Sequence, residues 1–263
     1  MTTAAAVQES SCSISRLRVA MGTFVAIEAE APTEEIAQQS IAAAFAAISL
    51  VERLMHPFRR GSDLAALADS APEVPLAVHP WTYQVLEFSR HLNQSSLGIF
   101  DPCVGTSPAR ITDLELQAAH RIVAHRPMRI DLGGIAKGYA VDRAIDALRD
   151  AGCTAGLVNA GGDVAVFGPR IRKILCGEPH CLRFEVDLRD GALASSDASC
   201  ASRPAEHHGY YHGANRSLSV SGRVTVLAGR AVVADGLTKC LLAGDHALNR
   251  TLLRKFGATA YAP

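Results

Sequence analysis

From Arg16 to Glu30 apolar and polar residues alternate in part with the two-residue period of a strand. Met21-Gly22-Thr23 interrupts that alternation where glycine admits a bend or a close approach of backbone to another group. Beyond it, Ile36, Ile41, Phe45, Ile48, Val51 and Met55 recur near helical period, with Thr33 placed as a cap and Glu34 and Glu35 in the first turn, where they complement the helix dipole. Pro57 ends this helix, and Ser62 offers a cap to a shorter one. Trp81 to Ser95, with Val85, Leu86, Phe88 and Leu92, reads as a further helix that runs into Gly98-Ile99-Phe100-Asp101-Pro102-Cys103-Val104-Gly105. Asp-Pro favours a turn, so Asp101 either faces a ligand or closes an Asx-turn, and the turn is the simpler reading.

In the second half, Met128 to Leu132 reads as a short strand, Gly133-Gly134 as a tight loop, and Gly138 to Asp150 as a helix with Val141, Ala144, Ile145 and Leu148 on one face. Gly152 suits a helix end; Gly156 to Asn159 and Asp163 to Phe167 then read as strands joined through Ala160-Gly161-Gly162. Strand signals recur at Arg183 to Leu188 and Ser219 to Leu227, and Ala234 to Leu242 reads as a helix start. This order predicts an α+β protein: a mixed β-sheet core with flanking helices. Residues 1–15, small and polar, read as a disordered leader, which leaves residues 16–263 as one domain.

Composition narrows the function classes. Formal net charge is zero, which gives no electrostatic reason to expect a nucleic-acid partner or an anionic membrane surface. No stretch approaches the 18 or so apolar residues of a membrane span, and the first 20 residues hold no signal-like apolar run. Seven scattered cysteines without a CxxC pair read as reduced thiols rather than a disulfide framework, so the expected location is cytoplasmic. The basic residues are 22 Arg and four Lys, which makes the positions of Lys137 and Lys239 worth following.

Candidate chemistry concentrates in three places. Asp131-Leu132-Gly133-Gly134-Ile135-Ala136-Lys137-Gly138-Tyr139-Ala140-Val141-Asp142 delivers a glycine loop to a helix N-terminus, a geometry that suits a phosphate-bearing ligand and equally a turn that binds nothing. It is neither a Walker loop nor a GxGxxG fingerprint. Asp235 and Thr238, three residues apart on one helical face, are oxygen ligands suited to a hard cation such as Mg²⁺, or else a first-turn dipole partner and its neighbour. Cys176, His180, Cys181, Cys200, His207, His208 and His212 crowd one region, but their spacings match no standard zinc module. Elsewhere, Met21 and Phe58 suit core packing or ligand contact, and for Phe58 the spacing favours the core.

Taken in order, these segments resemble the ApbE family, the FAD:protein FMN transferases, from about Met21 to Gly244. The resemblance rests on Met21-Gly22-Thr23, Phe58 to Leu64, Phe100 to Gly105, Asp131 to Asp142, Asn159 to Asp163, Ala194-Ser195-Ser196 and Ala234-Asp235. It implies two intimately packed α/β portions with FAD in the cleft between them and Mg²⁺ beside the pyrophosphate. The metal positions are Gly134, through its carbonyl, with Asp235 and Thr238; the flavin-nucleotide positions are Met21, Phe58, Ile99, Phe100, Asp101, Asp131 and Lys137. The implied reaction is Mg²⁺-dependent transfer of FMN from FAD to a threonine hydroxyl of an acceptor flavoprotein, with release of AMP. Asp235 is assigned to its catalytic centre, and His212 inherits the role of a histidine that helps deprotonate the acceptor. The alternatives are an FAD-binding carrier without transfer and a hydrolase that yields FMN and AMP. Three departures stand out: Gly209 to Arg216 replaces the family's His-x-x-Asp-Pro-Arg-like segment, Ser196-Asp197 replaces Ser-Gly, and Lys239 stands four residues after Asp235 where a threonine is usual.

Overall fold

The computed structural model describes residues 11–103, 108–177, 184–198 and 222–261. Strand β1 (Cys12–Ala20) and strand β2 (Thr23–Ala31) form a hairpin whose turn is Met21-Gly22, with φ of 52° and 72°. Both residues lie in the left-handed region that a right-twisted two-residue hairpin turn demands. The strand begins four residues ahead of the expected domain start, and Ile14 is already buried in the core, so residues 12–15 do not belong to a leader.

Helix α1 (Glu34–Met55) starts where its cap predicts: Thr33 Oγ1 accepts the Ile36 N–H at 3.3 Å, and Ile41, Phe45, Ile48, Val51 and Met55 are all buried. Helix α2 (Asp63–Asp69) is capped by Ser62. Helix α3 (Pro80–Ser95) follows the short strand β3 (Leu76–Ala77), which joins β4 (Leu114–Gln117) and β5 (Arg121–Ala124) in a small sheet of order β3-β5-β4. Met128 to Leu132 is not a strand: it contributes a single bridge, Ile130 to Cys103, which ties it to the loop after α3.

Helix α4 (Ala136–Asp150) leads to β6 (Ala155–Ala160), β7 (Asp163–Phe167) and the hairpin of β8 (Arg172–Cys176) with β9 (Phe184–Leu188). Strands β10 (Gly191–Asp197) and β11 (Arg223–Ala228), helices α5 (Ala231–Ala243) and α6 (His246–Lys255), and strand β12 (Thr259–Tyr261) complete the described chain. The seven-stranded sheet has the order β1-β2-β6-β7-β10-β11-β12. Every pairing in it is antiparallel, so the protein is α+β as expected, while the sheet is not mixed in strand direction. Tight turns join β1 to β2 and β6 to β7, whereas β2 reaches β6 only after α1 to α4 and β11 reaches β12 through α5 and α6, and the chain comes back reversed beside its neighbour in each case.

Helices α1, α4 and α5 cover one face of this sheet. The opposite face is apolar where the β8–β9 hairpin folds over it, with Val164, Val166, Leu193, Val186 and Leu188 forming a second small core. The main core runs without interruption from Ile14 to Leu252 and includes Leu114 and Ile122 of the small sheet. Buried apolar surface at roughly 25 cal/mol per Å² is the dominant stabilising term for such a core. No described helix is long and apolar enough to cross a membrane, and the described cysteines are free thiols.

Candidate functional site

Two glycines and two aspartates set the geometry where α4 meets α5. Helices α4 and α5 pass antiparallel with their first two turns in contact, and each supplies the other's N-terminal cap. Asp142 of α4 accepts the Ala231 and Val232 N–H groups of α5 at 2.7 and 3.1 Å, and Asp235 of α5 accepts the Gly138 N–H of α4 at 3.0 Å. Capping by a carboxylate satisfies donors that a helix start leaves unpaired and meets the positive end of its dipole. So close a crossing requires Gly138, because a Cβ there would stand 2.4 Å from the Ala231 carbonyl oxygen. Gly236 serves the same purpose one turn on, against Leu92 of α3.

This cap shifts the start of α5 to Ala231, three residues ahead of the sequence-based expectation, and sets Asp235 in the second turn. It also revises the loop as an anion cradle. Much of the N–H supply around the α4 N-terminus is already engaged: Gly133 N–H with Asp131 Oδ1 at 2.7 Å, Ile135 and Ala136 with the Leu132 carbonyl, and Gly138 with Asp235. Asp131 therefore shapes the double-glycine loop by an Asx-turn, and its own N–H reaches the Pro102 carbonyl at 2.9 Å.

Gly134, Lys137, Asp235 and Thr238 do come together, along with three residues that the sequence analysis did not place in the site: Asp163, Ser196 and Lys239. Lys137 Nζ donates to Asp163 Oδ2 at 2.7 Å. The Lys239 ammonium donates to Asp235 Oδ1, to Thr238 Oγ1 at 3.0 Å and to Ser196 Oγ at 3.1 Å, and the two hydroxyls are 2.8 Å apart. The Lys239 stem lies along Gly134, whose absent Cβ would be 3.5 Å from Lys239 Cε and 3.7 Å from Phe100 Cε2. Asp235 and Thr238 are fully buried, and Asp163 and Lys239 nearly so. Asp163 opens β7 straight after the Gly161-Gly162 turn, a position that marked it in the Asn159 to Asp163 segment; only strand pairing brings Ser196 opposite α5.

The two carboxylates titrate against each other. Burial, and then the charge of Asp235, raise Asp163 to about 6 despite the pull of Lys137 and Lys239. Burial also pushes Asp235 up, but Lys137 and Lys239, with the hydrogen bonds from Lys239 and Gly138, outweigh it and hold Asp235 below its ordinary value. Asp235 thus keeps its charge, and Asp163 is the member that takes a proton first.

The other expected positions ring this cluster. Met21 forms the β1–β2 turn, and the neighbouring Thr23 packs on Gly161, so both turns meet at one end of the sheet. A methionine at positive φ is uncommon. Phe58 is 66% exposed, correcting the core reading, with the Arg129 guanidinium 5.9 Å from its ring centre. Phe100 is buried against Gly134 and Ile99 is half-buried. Asp101 closes the Asx-turn, accepting the Cys103 and Ile111 N–H groups at 3.0 and 3.2 Å, and desolvation raises its pKa. A cavity of about 250 Å³, lined by Gly161, Gly162, Ser195, Ser196, Asp197 and Arg223 among others, opens at the same end of the sheet beneath the β8–β9 hairpin. His212 lies outside the described residues, as do His180, Cys181, Cys200, His207 and His208 of the histidine- and cysteine-rich region; Cys176, the last residue of β8, is buried.

The profile of the ApbE family matches residues 21–262, nearly the whole chain. The chain belongs to the ApbE family. Among its relatives, the FAD:protein FMN transferase of Treponema pallidum (strain Nichols) is 25% identical over 298 aligned positions, spanning 92% of this chain and 82% of that protein. The protein of the same name from Rhodobacter capsulatus is 28% identical over 174 positions, 56% of this chain and 33% of its own. The fold is also that of the flavin transferase ApbE from Vibrio cholerae, with a TM-score of 0.81 at 18% identity over 96% of this chain and 94% of that one. The ApbE protein of Thermotoga maritima gives 0.77 at 23% identity, covering 95% and 94%.

Whether this ApbE chain can hold the family's expected divalent ion is a question of its donor set. Gly134, Asp235 and Thr238 supply the right oxygens, yet the point on which the side-chain oxygens converge is taken by the Lys239 ammonium, and the second Asp235 oxygen is held by Gly138. Among the described residues no three His, Cys, Asp or Glu side chains gather as a metal-binding group. A divalent ion about 4 Å from an ammonium is repelled by about 8 kcal/mol at an effective dielectric of about 20. These residues do not fit a resident divalent ion while Lys239 stays in place.

Proposed function

We propose that the protein is an FAD:protein FMN transferase that moves FMN from FAD onto a threonine hydroxyl of an acceptor flavoprotein. The observation that carries this reading is the buried cluster of Lys137, Asp163, Asp235 and Lys239 at the meeting of the glycine loop, α5 and the sheet end, within a chain of the ApbE family. In the reaction the threonine oxygen attacks the FMN phosphorus, the phosphoanhydride bond to the AMP moiety breaks, a phosphoester forms, AMP leaves, and the hydroxyl proton passes to a base. FAD lies against Met21, Phe58, Ile99, Phe100 and the Asp131 to Lys137 loop, with the exposed Phe58 ring available for stacking. Both oxygens of Asp235 are engaged, so it acts by holding the α4 terminus and Lys239 in place. His212 remains the proposed base for the acceptor.

Such catalysis consists mostly of positioning and charge stabilisation. Magnesium is left out of the sequence of steps because the donor set does not fit it. Incubation with FAD and a protein fragment bearing an Asp-Gly-x-Thr-type acceptor motif is expected to give an FMN-mass adduct on threonine and one AMP per adduct. Bound FAD with neither adduct nor AMP would make the protein a carrier instead. FMN and AMP released equally without acceptor would make it a hydrolase.

A further inference from the structure

We propose that the Lys239 ammonium is the resident cation of this site and stands in place of a divalent metal ion. The inference rests on the flavin-binding reading above. A bound cation needs converging oxygens, a charge to balance and shelter from water, and Lys239 has all three. Its nitrogen meets one carboxylate oxygen and two hydroxyls, from Asp235, Thr238 and Ser196. Those groups come from two different elements, α5 and β10, so the arrangement is more than a helical i, i+4 ion pair on a surface. The side chain is only 11% exposed, its partner Asp235 is fully buried, and its stem runs along Gly134, close enough that a Cβ there would be in van der Waals contact with it.

Each ammonium N–H has an oxygen acceptor, which is the full complement of a lysine. The neighbouring pair repeats the theme, with Lys137 on Asp163. The cluster therefore reaches charge balance from the chain's own side chains, two ammoniums against two carboxylates, and a divalent ion would have to displace an ammonium from its carboxylate. A fixed ammonium also confers a lasting difference: its position does not depend on the concentration of free metal, so flavin binding and transfer proceed without added divalent ion.

The test uses the full chain, first as wild type. Mn²⁺ alone is titrated and the free ion is followed by electron paramagnetic resonance; FAD binding is measured separately in EDTA and in excess Mg²⁺. Expected are no Mn²⁺ binding up to about 1 mM and an FAD dissociation constant that changes less than about threefold between the two conditions. Lys239→Thr, which exchanges the ammonium for a hydroxyl, is expected to gain a Mn²⁺ site that Mg²⁺ competes for. Its FAD binding should become at least about tenfold tighter with Mg²⁺ than with EDTA, the scale of one charge-assisted contact.

Wild-type binding of Mn²⁺ as tight as in the variant overturns the proposal, as does a loss of about tenfold or more in wild-type FAD affinity on adding EDTA. The wild-type measurements decide the matter even if Lys239→Thr fails to fold. Should FAD fail to bind under every condition, the flavin reading falls, and the Mn²⁺ titration still decides which cation the site holds.

Discussion

Replacing Gly138 by alanine separates two physical accounts of the same helix. Considered as a position in α4, alanine is the better residue, more favourable than glycine by about 1 kcal/mol in a helix interior. Considered as a position in the crossing, it is untenable: the new Cβ would lie 2.4 Å from the Ala231 carbonyl oxygen, 2.7 Å from its carbon and 2.8 Å from Asp235 Cβ. Two of these three atoms are backbone and cannot rotate away, so α4 and α5 must separate by roughly 1 Å to reach ordinary contact distance. Overpacking of this kind costs about 1–3 kcal/mol. The same separation lengthens the Gly138 bond to Asp235 and the two bonds from α5 to Asp142. Hydrogen bonds to charged groups contribute about 1.5–3 kcal/mol each, of which only part is lost on lengthening. Set against the propensity gain, the net expectation is a destabilisation of about 2–4 kcal/mol. In urea denaturation followed by circular dichroism, with a slope of about 2–3 kcal/mol per molar, the midpoint should fall by about 1 M. A midpoint unchanged or raised would refute the reciprocal-cap account and favour propensity.

Two further outcomes follow from the site. Phe58→Ala should leave stability within about 0.5 kcal/mol, because the ring is mostly exposed. It should nevertheless weaken FAD binding about tenfold if the ring stacks on the ligand, as fluorescence titration would show; unchanged affinity removes Phe58 from the site. The second concerns pH. Asp163 has an ordinary value of 3.8 unfolded and about 6 folded, so between these values the folded protein holds a proton that the unfolded chain has released. Its contribution to stability is full below pH 3.8 and is lost as pH rises through about 6, on the order of 3 kcal/mol in total. Asp101 and Asp142, also raised, lean the same way, whereas Asp235, lowered, loses its contribution only as pH falls below the ordinary range. Stability measured at pH 4 and pH 7 should therefore differ less in Asp163→Asn than in wild type; equal differences would contradict the assigned shift.

How far the sequence could be read depended on how local each cause was. Thr33 and Ser62 cap their helices as expected because a cap is decided within three residues. The same holds for the Asx-turn at Asp101. Met128 to Leu132 misled because apolar alternation reports burial, and here burial comes from a loop bridged once to Cys103 rather than from a sheet. Phe58 misled in the opposite sense: a large apolar residue after a helix belongs in a core on average, and this one faces outward beside Arg129. Helix α6 went unread even though Asp245 caps it, and the short strands β3 to β5 are too brief for any periodicity to emerge.

The sequence by itself determined the α+β class, the main helices and hairpins, and the family, through the ordered segments from Met21 to Asp235. All of these follow from periodicity, caps and glycine turns, whose physics acts between near neighbours in the chain. Tertiary structure alone decided that Asp142 and Asp235 cap each other's helices and that Ser196 faces α5. It decided as well that Lys239 closes on the oxygens expected to hold a metal. The physical reason is distance along the chain: Asp235 lies 97 residues from Gly138 and Lys239 lies 43 from Ser196, so no local pattern encodes their meeting. Only the close crossing of α4 and α5 over an antiparallel sheet brings the four charges together, and burial there turns ordinary side chains into a coupled site.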